Sequence, residues 1–363
     1  MNFTQNLLDN ITSETVKEYQ FYLFNPAENK NYTLPNSLKA VSKKSFVFSG
    51  NANTYVLNAN ENLLSIQDEA FNISGTSYDA KISSFVSNPS LLYIGSLAFN
   101  SNTVISNFTS NAKALGISAF RSCTGLSSIN FPNLIVIPEG AFSGCSNLST
   151  INLNNVEFIN QQGFYGCSYI SNLNSINFPK LTSIGQSAFE QCRGLLTINL
   201  PEVTNIRTYA FQYCSNMMSA TLPKLASLDG NVFRYCTKLN TVTFSILKNL
   251  SYQAFYNLSA LTTVNIPEVT SIMSEAFRYC ASLTDLYLPK IVAIGSNAFK
   301  NSGLTTLTVG PDLSLIDTTF ASSVLTTINV IGDENCTTAQ TLQALDPSVY
   351  NNATIVYNYT PSA

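Results

Sequence analysis

Apolar positions in this chain recur as one unit, shown whole in the stretch Leu181 to Pro201, LTSIGQSAFEQCRGLLTINLP. Near-copies of it stand on both sides. The Phe of its Ala-Phe pair marks the phase, at Phe71, Phe99, Phe120, Phe142, Phe164, Phe189, Phe211, Phe233, Phe255, Phe277, Phe299 and Phe320. Successive gaps are 28, 21, 22, 22, 25, 22, 22, 22, 22, 22 and 21 residues, and Ser45-Phe46, 25 residues before Phe71, reads as a degenerate further copy. A period in the 20s with apolar residues locked to it predicts a solenoid, each turn burying its apolar face only against its neighbours.

Counted from Cys123, one unit reads C-x-x-L-x-x-I-x-F-P-x-L-x-x-I, then a short turn, then Ala-Phe. Leu126, Ile129 and Phe131 end in strand alternation, and Pro132 closes the run by withdrawing a donor. Leu195, Ile198, Leu200 and Pro201 fill the same slots, as do Leu283, Leu286, Leu288 and Pro289. One short strand per repeat, paired in parallel with the next, predicts a continuous sheet. The second apolar pair, such as Leu181 and Ile184, leads through Gly185 to Ala188-Phe189 and turns the chain back. Gly95, Gly185 and Gly295 are expected at a turn position of positive φ. The 28-residue gap implies a loop near Gly75 to Asp79. The 25-residue gap is assigned to SYIS before Leu173, whose excess is expected to bulge outward.

The ends lack the repeat. In residues 1–45, Leu7, Leu8, Ile11, Thr15 and Tyr19 lie on one face of a short amphipathic helix, and Asn25-Pro26 and Leu34-Pro35 read as turns. This segment is expected to be an N-terminal cap or an attachment to a larger assembly. Residues 46–332 form the solenoid, and residues 333–363 a C-terminal cap. In that cap Thr337 to Leu345 suits a short helix, Asp346-Pro347 breaks it, and Ala353 to Tyr359 reads as a last strand.

These residues resemble the leucine-rich repeats of the BspA-like, or treponemal, type, with a consensus similar to C-x-x-L-x-x-I-x-L-P-x-x-L-x-x-I-G-x-x-A-F. The resemblance covers roughly residues 80 to 332, although this chain runs mostly at 22 rather than 23 residues. It implies a right-handed solenoid with a parallel sheet on its concave side and turns, short 3-10 or β segments on its convex side. It also implies a surface-exposed adhesin or host-interaction factor, without a shared catalytic site.

Composition narrows the function classes. Only 11% of residues are charged and the formal net charge is −3, so no basic excess exists to attract nucleic acid or anionic lipid. Histidine is absent, which removes the commonest general base and metal ligand and excludes Ser-His and Cys-His nucleophile pairs. Carboxylates such as Glu139, Glu157, Glu190, Glu202, Glu268, Glu275 and Asp285 are scattered singly. No phosphate-cradling glycine motif occurs. The expectation is therefore no enzyme, no cofactor and no metal. No apolar stretch reaches the length of a membrane-spanning helix, and the N-terminus shows no signal-peptide pattern. N-x-[ST] sequons, for example at Asn107, Asn249 and Asn257, number about what so much Asn, Ser and Thr produces by chance.

Cys123, Cys145, Cys167, Cys192, Cys214, Cys236 and Cys280 each stand three residues after a repeat Phe, and only Cys336 is off phase. Ser74, Asn102, Leu258, Ser302 or Ser323 fill that slot elsewhere. The slot reads as an inward position for a small side chain and the series as a ladder of buried thiols. Disulfides between rungs and a zinc site are the alternatives.

Three surfaces are candidates for binding. Outward strand positions form one column at Ser128, Thr150, Ser175, Thr197, Ser219, Thr241, Thr263, Asp285, Thr306 and Thr327. A second runs through Asn130, Asn152, Asn177, Asn199, Thr221, Thr243, Asn265, Tyr287, Thr308 and Asn329. Such neutral columns suit glycan or protein-backbone binding, and equally suit an exposed sheet by β-propensity alone. Asp285 and Tyr287 break both columns on one strand. On the turn after the Phe, Tyr213, Arg234, Tyr235, Arg278 and Tyr279, with Tyr256 between them, are types enriched in interface hot spots but also ordinary turn cover. Lys180, Glu202, Lys224, Glu268 and Lys290 follow the strand Pro and are read as pairs aiding register. Together these readings predict a non-catalytic recognition or adhesion protein of the cell surface or extracellular space, contacting a protein or glycan on a host or partner cell, with no membrane insertion. The alternative is a component of a virion or tail-like assembly docked through residues 1–45.

Overall fold

The structure, a computed structural model, describes residues 21–22, 31–34, 36, 38–42, 46–47, 54–72, 81–174, 178–316, 324–350 and 352–361. The expected N-terminal helix, the loop at Gly75 to Asp79, and Ser74, Ser175, Asn177, Phe320 and Ser323 lie outside them. The chain forms a parallel β-solenoid divided into two compact units, Met1–Ile170 with Ile176–Leu181 and Ser171–Ser175 with Thr182–Ala363.

Each turn contributes three ladders, seen most regularly in the second unit. The first is the long-strand sheet, in which Asn172–Asn174, Thr197–Asn199, Ser219–Thr221, Thr241–Thr243 and Thr263–Asn265 pair in parallel in that order. Ile198, Ala220 and Val242 at the strand centres are buried while their flanking residues face out. A slip of one residue would expose all of these together, which fixes the register. The second ladder is made of two-residue strands, Ser227–Leu228, Asn249–Leu250, Ser271–Ile272 and Ala293–Ile294.

The third ladder runs through the Ala-Phe turn. Backbone N–H groups of Asn231, Phe233 and Tyr235 donate to the carbonyls of Tyr252, Ala254 and Tyr256 one turn on, at 3.0, 3.1 and 3.0 Å. Asn231 and Tyr235 have φ of 63° and 62°, and this alternation of hand aims successive N–H groups the same way. The first unit repeats the device, with Ser118, Phe120 and Ser122 donating to Glu139, Ala141 and Ser143. The left-handed positions lie two residues before and after each described repeat Phe from Phe99 to Phe299, and Gly fills them only at Gly140, Gly144 and Gly166.

The core is a file of stacked phenylalanines. Phe189, Phe211 and Phe233 lie face to face with centroids 5.5 Å apart and interplanar angles of 2° and 5°, and Phe99 and Phe120 stack at 5.1 Å and 4°. The spacing is close to that between hydrogen-bonded strands, so the rung repeat itself sets the offset stack. Beside the file, Cys123, Cys145, Cys214, Cys236 and Cys280 each donate a thiol hydrogen to the carbonyl of the preceding turn's Phe, at 3.0 to 3.2 Å. All eight cysteines are free thiols, and the seven in phase are buried.

Two expectations are corrected. Gly95, Gly185 and Gly295 are not among the left-handed residues. At Gly95 the requirement is close approach, since a Cβ would fall 2.4 Å from the backbone nitrogen of Asp68. The extra residues behind the 25-residue gap follow the strand and do not precede it. Ile170, three residues after Cys167, is buried in the slot that Leu126 and Leu148 fill in their repeats. The strand therefore comes at Asn172–Asn174, pairing Asn172 with Thr197 and Asn174 with Asn199, and the chain lengthens between Asn174 and the buried Phe178. The partners assigned to Ser175 and Asn177 are thus held by Asn172 and Asn174.

Stacking is already present within residues 1–45, where Asn31–Thr33 pairs with Val56 to Asn58 and Ala40–Val41 with Ser65–Ile66. At the other end a helix, Thr337–Ala344, lies against the last turns. Its buried Thr338 donates its hydroxyl to the Gly310 carbonyl at 2.6 Å and accepts from the Leu313 N–H at 2.9 Å. The off-phase Cys336 is its N-cap, accepting from the Ala339 N–H at 3.4 Å. Strand Thr354–Val356 then pairs with Thr327–Val330 and closes the sheet.

Candidate functional site

Much of the hydrogen-bonding capacity on the long-strand face is used between turns. The Thr197 hydroxyl donates to the Asn172 side-chain oxygen one turn back at 3.0 Å, whereas that of Thr241 donates within its own turn to the Asn240 side-chain oxygen at 3.0 Å. Just before the strands, hydroxyls of Thr262, Thr305 and Thr326 donate to carbonyls of the preceding turn. Thr197, Asn199, Thr241 and Thr243 stand on the outward side of the long-strand sheet. Thr263 and Asn265 lie next along the same sheet.

The face changes character at Asp285–Leu288. That strand pairs with Thr306–Val309, then Thr327–Val330, then Thr354–Val356. Beyond the last strand the chain folds back: the Asn358 N–H donates to the Gly332 carbonyl at 2.8 Å and the Tyr359 N–H to that of Val330 at 3.0 Å. Tyr359 and Pro361 thereby wall an open groove of about 560 Å³, floored by Thr263, Asp285, Tyr287 and Thr306. Tyr287 is 45% exposed, and Asp285 is oriented by the Thr284 hydroxyl, which donates to it at 2.7 Å. Deeper, Thr308 and Asn329 are buried and bonded to each other, the Asn329 amide donating to the Thr308 hydroxyl at 3.3 Å. Among the described residues lining the groove, Asp285 is the sole charged one. Of the column positions expected from sequence, the structure gathers Thr263, Asp285, Tyr287, Thr306, Thr308 and Asn329 here. Tyr359 and Pro361 were missed, although the strand reading of Ala353 to Tyr359 contained the signal for the first.

The turn cluster is a closed stack. Tyr213 and Tyr235 are parallel at 5.0 Å, and Tyr256 meets Tyr235 and Tyr279 edge-on at 5.6 and 5.4 Å. The Arg234 guanidinium lies 4.8 Å from the Tyr235 centroid and 5.0 Å from that of Tyr256; Arg278 is 4.9 Å from Tyr279. Arg278 also binds Glu275 at 3.0 Å and donates to the Tyr279 hydroxyl at 3.1 Å, which lowers the Tyr279 phenol below its ordinary pKa. Cation–π contacts of this kind contribute about 0.5–2 kcal/mol each, so these arginines are engaged within the ladder.

The charges after the strand Pro pair between neighbouring turns. Lys224 meets Glu202 at 2.6 Å, and Glu268 is shared by Lys248, at 2.7 Å, and Lys290. The two ammonium donors pull the Glu268 carboxyl down to about 2. Among the described residues no group of three or more His, Cys, Asp or Glu could hold a metal ion, and no helix is long and apolar enough to cross a membrane. Burial pushes the Cys280 thiol up to about 12 and those of Cys123 and Cys214 well above the ordinary value, so these thiols are not nucleophiles at neutral pH.

The sequence matches the model of the BspA type leucine rich repeat region in six copies, over residues 2–106, 92–218, 167–280 and 204–327. The chain belongs to the BspA-type leucine-rich repeat family. No curated protein matches it by sequence. Among solved structures, this BspA-type chain is similar to a leucine-rich repeat protein from Bacteroides ovatus, at 20% identity and TM-score 0.70, over 90% of this chain and 83% of that one. That likeness is one of fold. Weaker similarity extends to a leucine rich cell surface protein from Faecalibacterium prausnitzii (16% identity, TM-score 0.40, 92% of both chains). The pneumococcal vaccine antigen PcpA is similar at 16% identity and TM-score 0.46, over 84% of this chain and 78% of that one.

Proposed function

We propose that this BspA-type protein is a non-catalytic recognition protein that captures a protein or glycan on a partner cell through the groove at Asp285 and Tyr287. The observation that carries the reading is the change in the long-strand face at this strand. A ladder of Ser, Thr and Asn gives way to an exposed aromatic ring and a carboxylate, and the C-terminal segment raises a wall opposite them. A concave site with a few convergent polar groups and an aromatic surface is the arrangement of ligand clefts, and about 560 Å³ falls in their usual range of roughly 300–1,000 Å³. The family membership supports a binding scaffold, and burial keeps the Cys123, Cys214 and Cys280 thiols from acting as nucleophiles.

The test is capture of cells by immobilised protein, with a panel of bacterial and epithelial cells. The double variant Asp285→Thr, Tyr287→Thr, which restores the regular ladder, is expected to reduce capture at least tenfold with an unchanged melting temperature. Unchanged capture would overturn the reading and transfer attention to Tyr213, Tyr235 and Tyr279. The cell-surface or extracellular setting follows from the same proposal and is read out by surface labelling of intact producing cells.

A further inference from the structure

We infer that the ligand of this groove is a neutral glycan, seated with a pyranose ring against Tyr287 and a pair of its hydroxyls on Asp285. The inference rests on the recognition reading above and adds the ligand class.

Four observations converge. The first is charge: among the described residues the groove is lined by one carboxylate and no Lys or Arg, so sialylated, sulfated or phosphorylated ligands would bring like charge to Asp285 without a compensating cation. The second is the aromatic surface. Tyr287 stands on a strand between Asp285 and the buried Leu288, and its ring, 45% exposed, is held by the sheet and not by a mobile loop. Tyr359 faces the same space and is anchored by its own backbone bond to Val330. Two tyrosine rings with polar tips, each on hydrogen-bonded backbone, match the alternation of C–H faces and hydroxyl edges on a sugar.

The third observation concerns the carboxylate. Thr284 donates to one oxygen of Asp285, and among the described residues no other hydrogen bond engages the second oxygen, whose lone pairs can accept from vicinal hydroxyls. The fourth is the rest of the polar surface. Thr263 and Thr306 offer hydroxyls that both donate and accept, as sugar hydroxyls require. A peptide ligand would favour apolar pockets or an unpaired strand edge. The groove floor is instead a paired sheet with outward Thr, Asp and Tyr.

The experiment is affinity electrophoresis of the whole protein through gels containing neutral polysaccharides of glucose, galactose, mannose or N-acetylglucosamine, with heparin and polysialic acid as anionic controls. Retardation is expected with at least one neutral polymer. It should be lost in Tyr287→Ala, weakened at least tenfold in Asp285→Asn, and absent with the anionic polymers. Retardation by none of the neutral polymers, or by the anionic ones alone, would sink the glycan assignment. A parallel arm separates this failure from that of the recognition reading. Partner cells captured by wild-type protein are treated with periodate, which cleaves vicinal diols, or with protease. Loss on periodate supports the glycan; loss on protease alone, with capture still dependent on Tyr287, overturns the glycan and leaves the recognition reading standing. Capture that ignores Tyr287 altogether overturns both.

Discussion

The thiol of Cys280 donates to the carbonyl of Phe255 at 3.1 Å, one full turn back along the solenoid. This single bond explains why the slot is so often Cys. The side chain must be small, tolerate complete burial and give the Phe carbonyl a partner from the next turn, beside the backbone N–H three residues on that most of these carbonyls also accept, as Phe120 does from Cys123.

Thiol reactivity follows from that geometry. With the Cys280 thiol raised to about 12, the thiolate is scarce at pH 8 and water is excluded. A thiol-exchange reagent on native protein at pH 8 is expected to titrate Cys336 promptly and the seven in-phase cysteines slowly. All eight should react after denaturation without reductant. A lower denatured count would mean disulfides.

The phenylalanine file carries much of the stability. Phe211 stacks on Phe189 and Phe233 at 5.5 Å each and is fully buried, so Phe211→Ala is expected to cost about 3–5 kcal/mol. Phe211→Leu should cost less, because it keeps most of the volume. Denaturant unfolding followed by tyrosine fluorescence reads both.

Two glycines separate backbone strain from steric approach. At Gly166 φ is +71° and a Cβ would meet nothing within 4 Å, so Gly166→Ala pays only the left-handed penalty, about 1 kcal/mol. At Gly303 a Cβ would fall 2.1 Å from the Ala281 carbonyl oxygen, so Gly303→Ala should lower the melting temperature several times as much. Equal shifts would contradict the rung spacing described here.

Acid sensitivity has a defined sign at Glu268. Its folded carboxyl, drawn down to about 2 by Lys248 and Lys290, lies below the ordinary unfolded value of about 4.3. Its contribution is therefore present above that unfolded value and is lost as pH falls through the folded one. Glu268→Gln is expected to flatten the melting-temperature profile between about pH 5 and pH 2, modestly, because the pair is exposed and screened by salt. An unaltered profile would show that the shared carboxylate does not act in solution.

Sequence periodicity made most of this architecture legible because each slot obeys one physical demand. Phe189 must stack, Cys192 must be small, Ile198 must alternate with Thr197 and Asn199, and all of these recur. The position of the longer turn was not legible, since Ile170 and Leu173 both fit an apolar slot, and only the pairing of Asn172 with Thr197 decides between them. Positive φ was likewise misassigned to glycines because Tyr209, Tyr213 and Asn231 adopt it. Inter-turn hydrogen bonds override the intrinsic preference there. At the candidate site, Asp285 and Tyr287 announced themselves as departures from a column. Tyr359, which lies 72 residues beyond Tyr287 in sequence, joins them only through the fold-back after the last strand.

The ladder of Asn231, Phe233 and Tyr235 onto the following turn has a mechanical meaning. Bonds of this type reach one rung and no further, and an end turn is held by one neighbour where an inner turn is held by two, so under force at the chain ends the end turns give way first. Pulled in a single-molecule experiment, the solenoid should peel turn by turn, each release freeing 22 residues, or about 70–80 Å of extended chain. A protein tethered at one end and gripping a partner at the other would then yield by lengthening before its grip is broken.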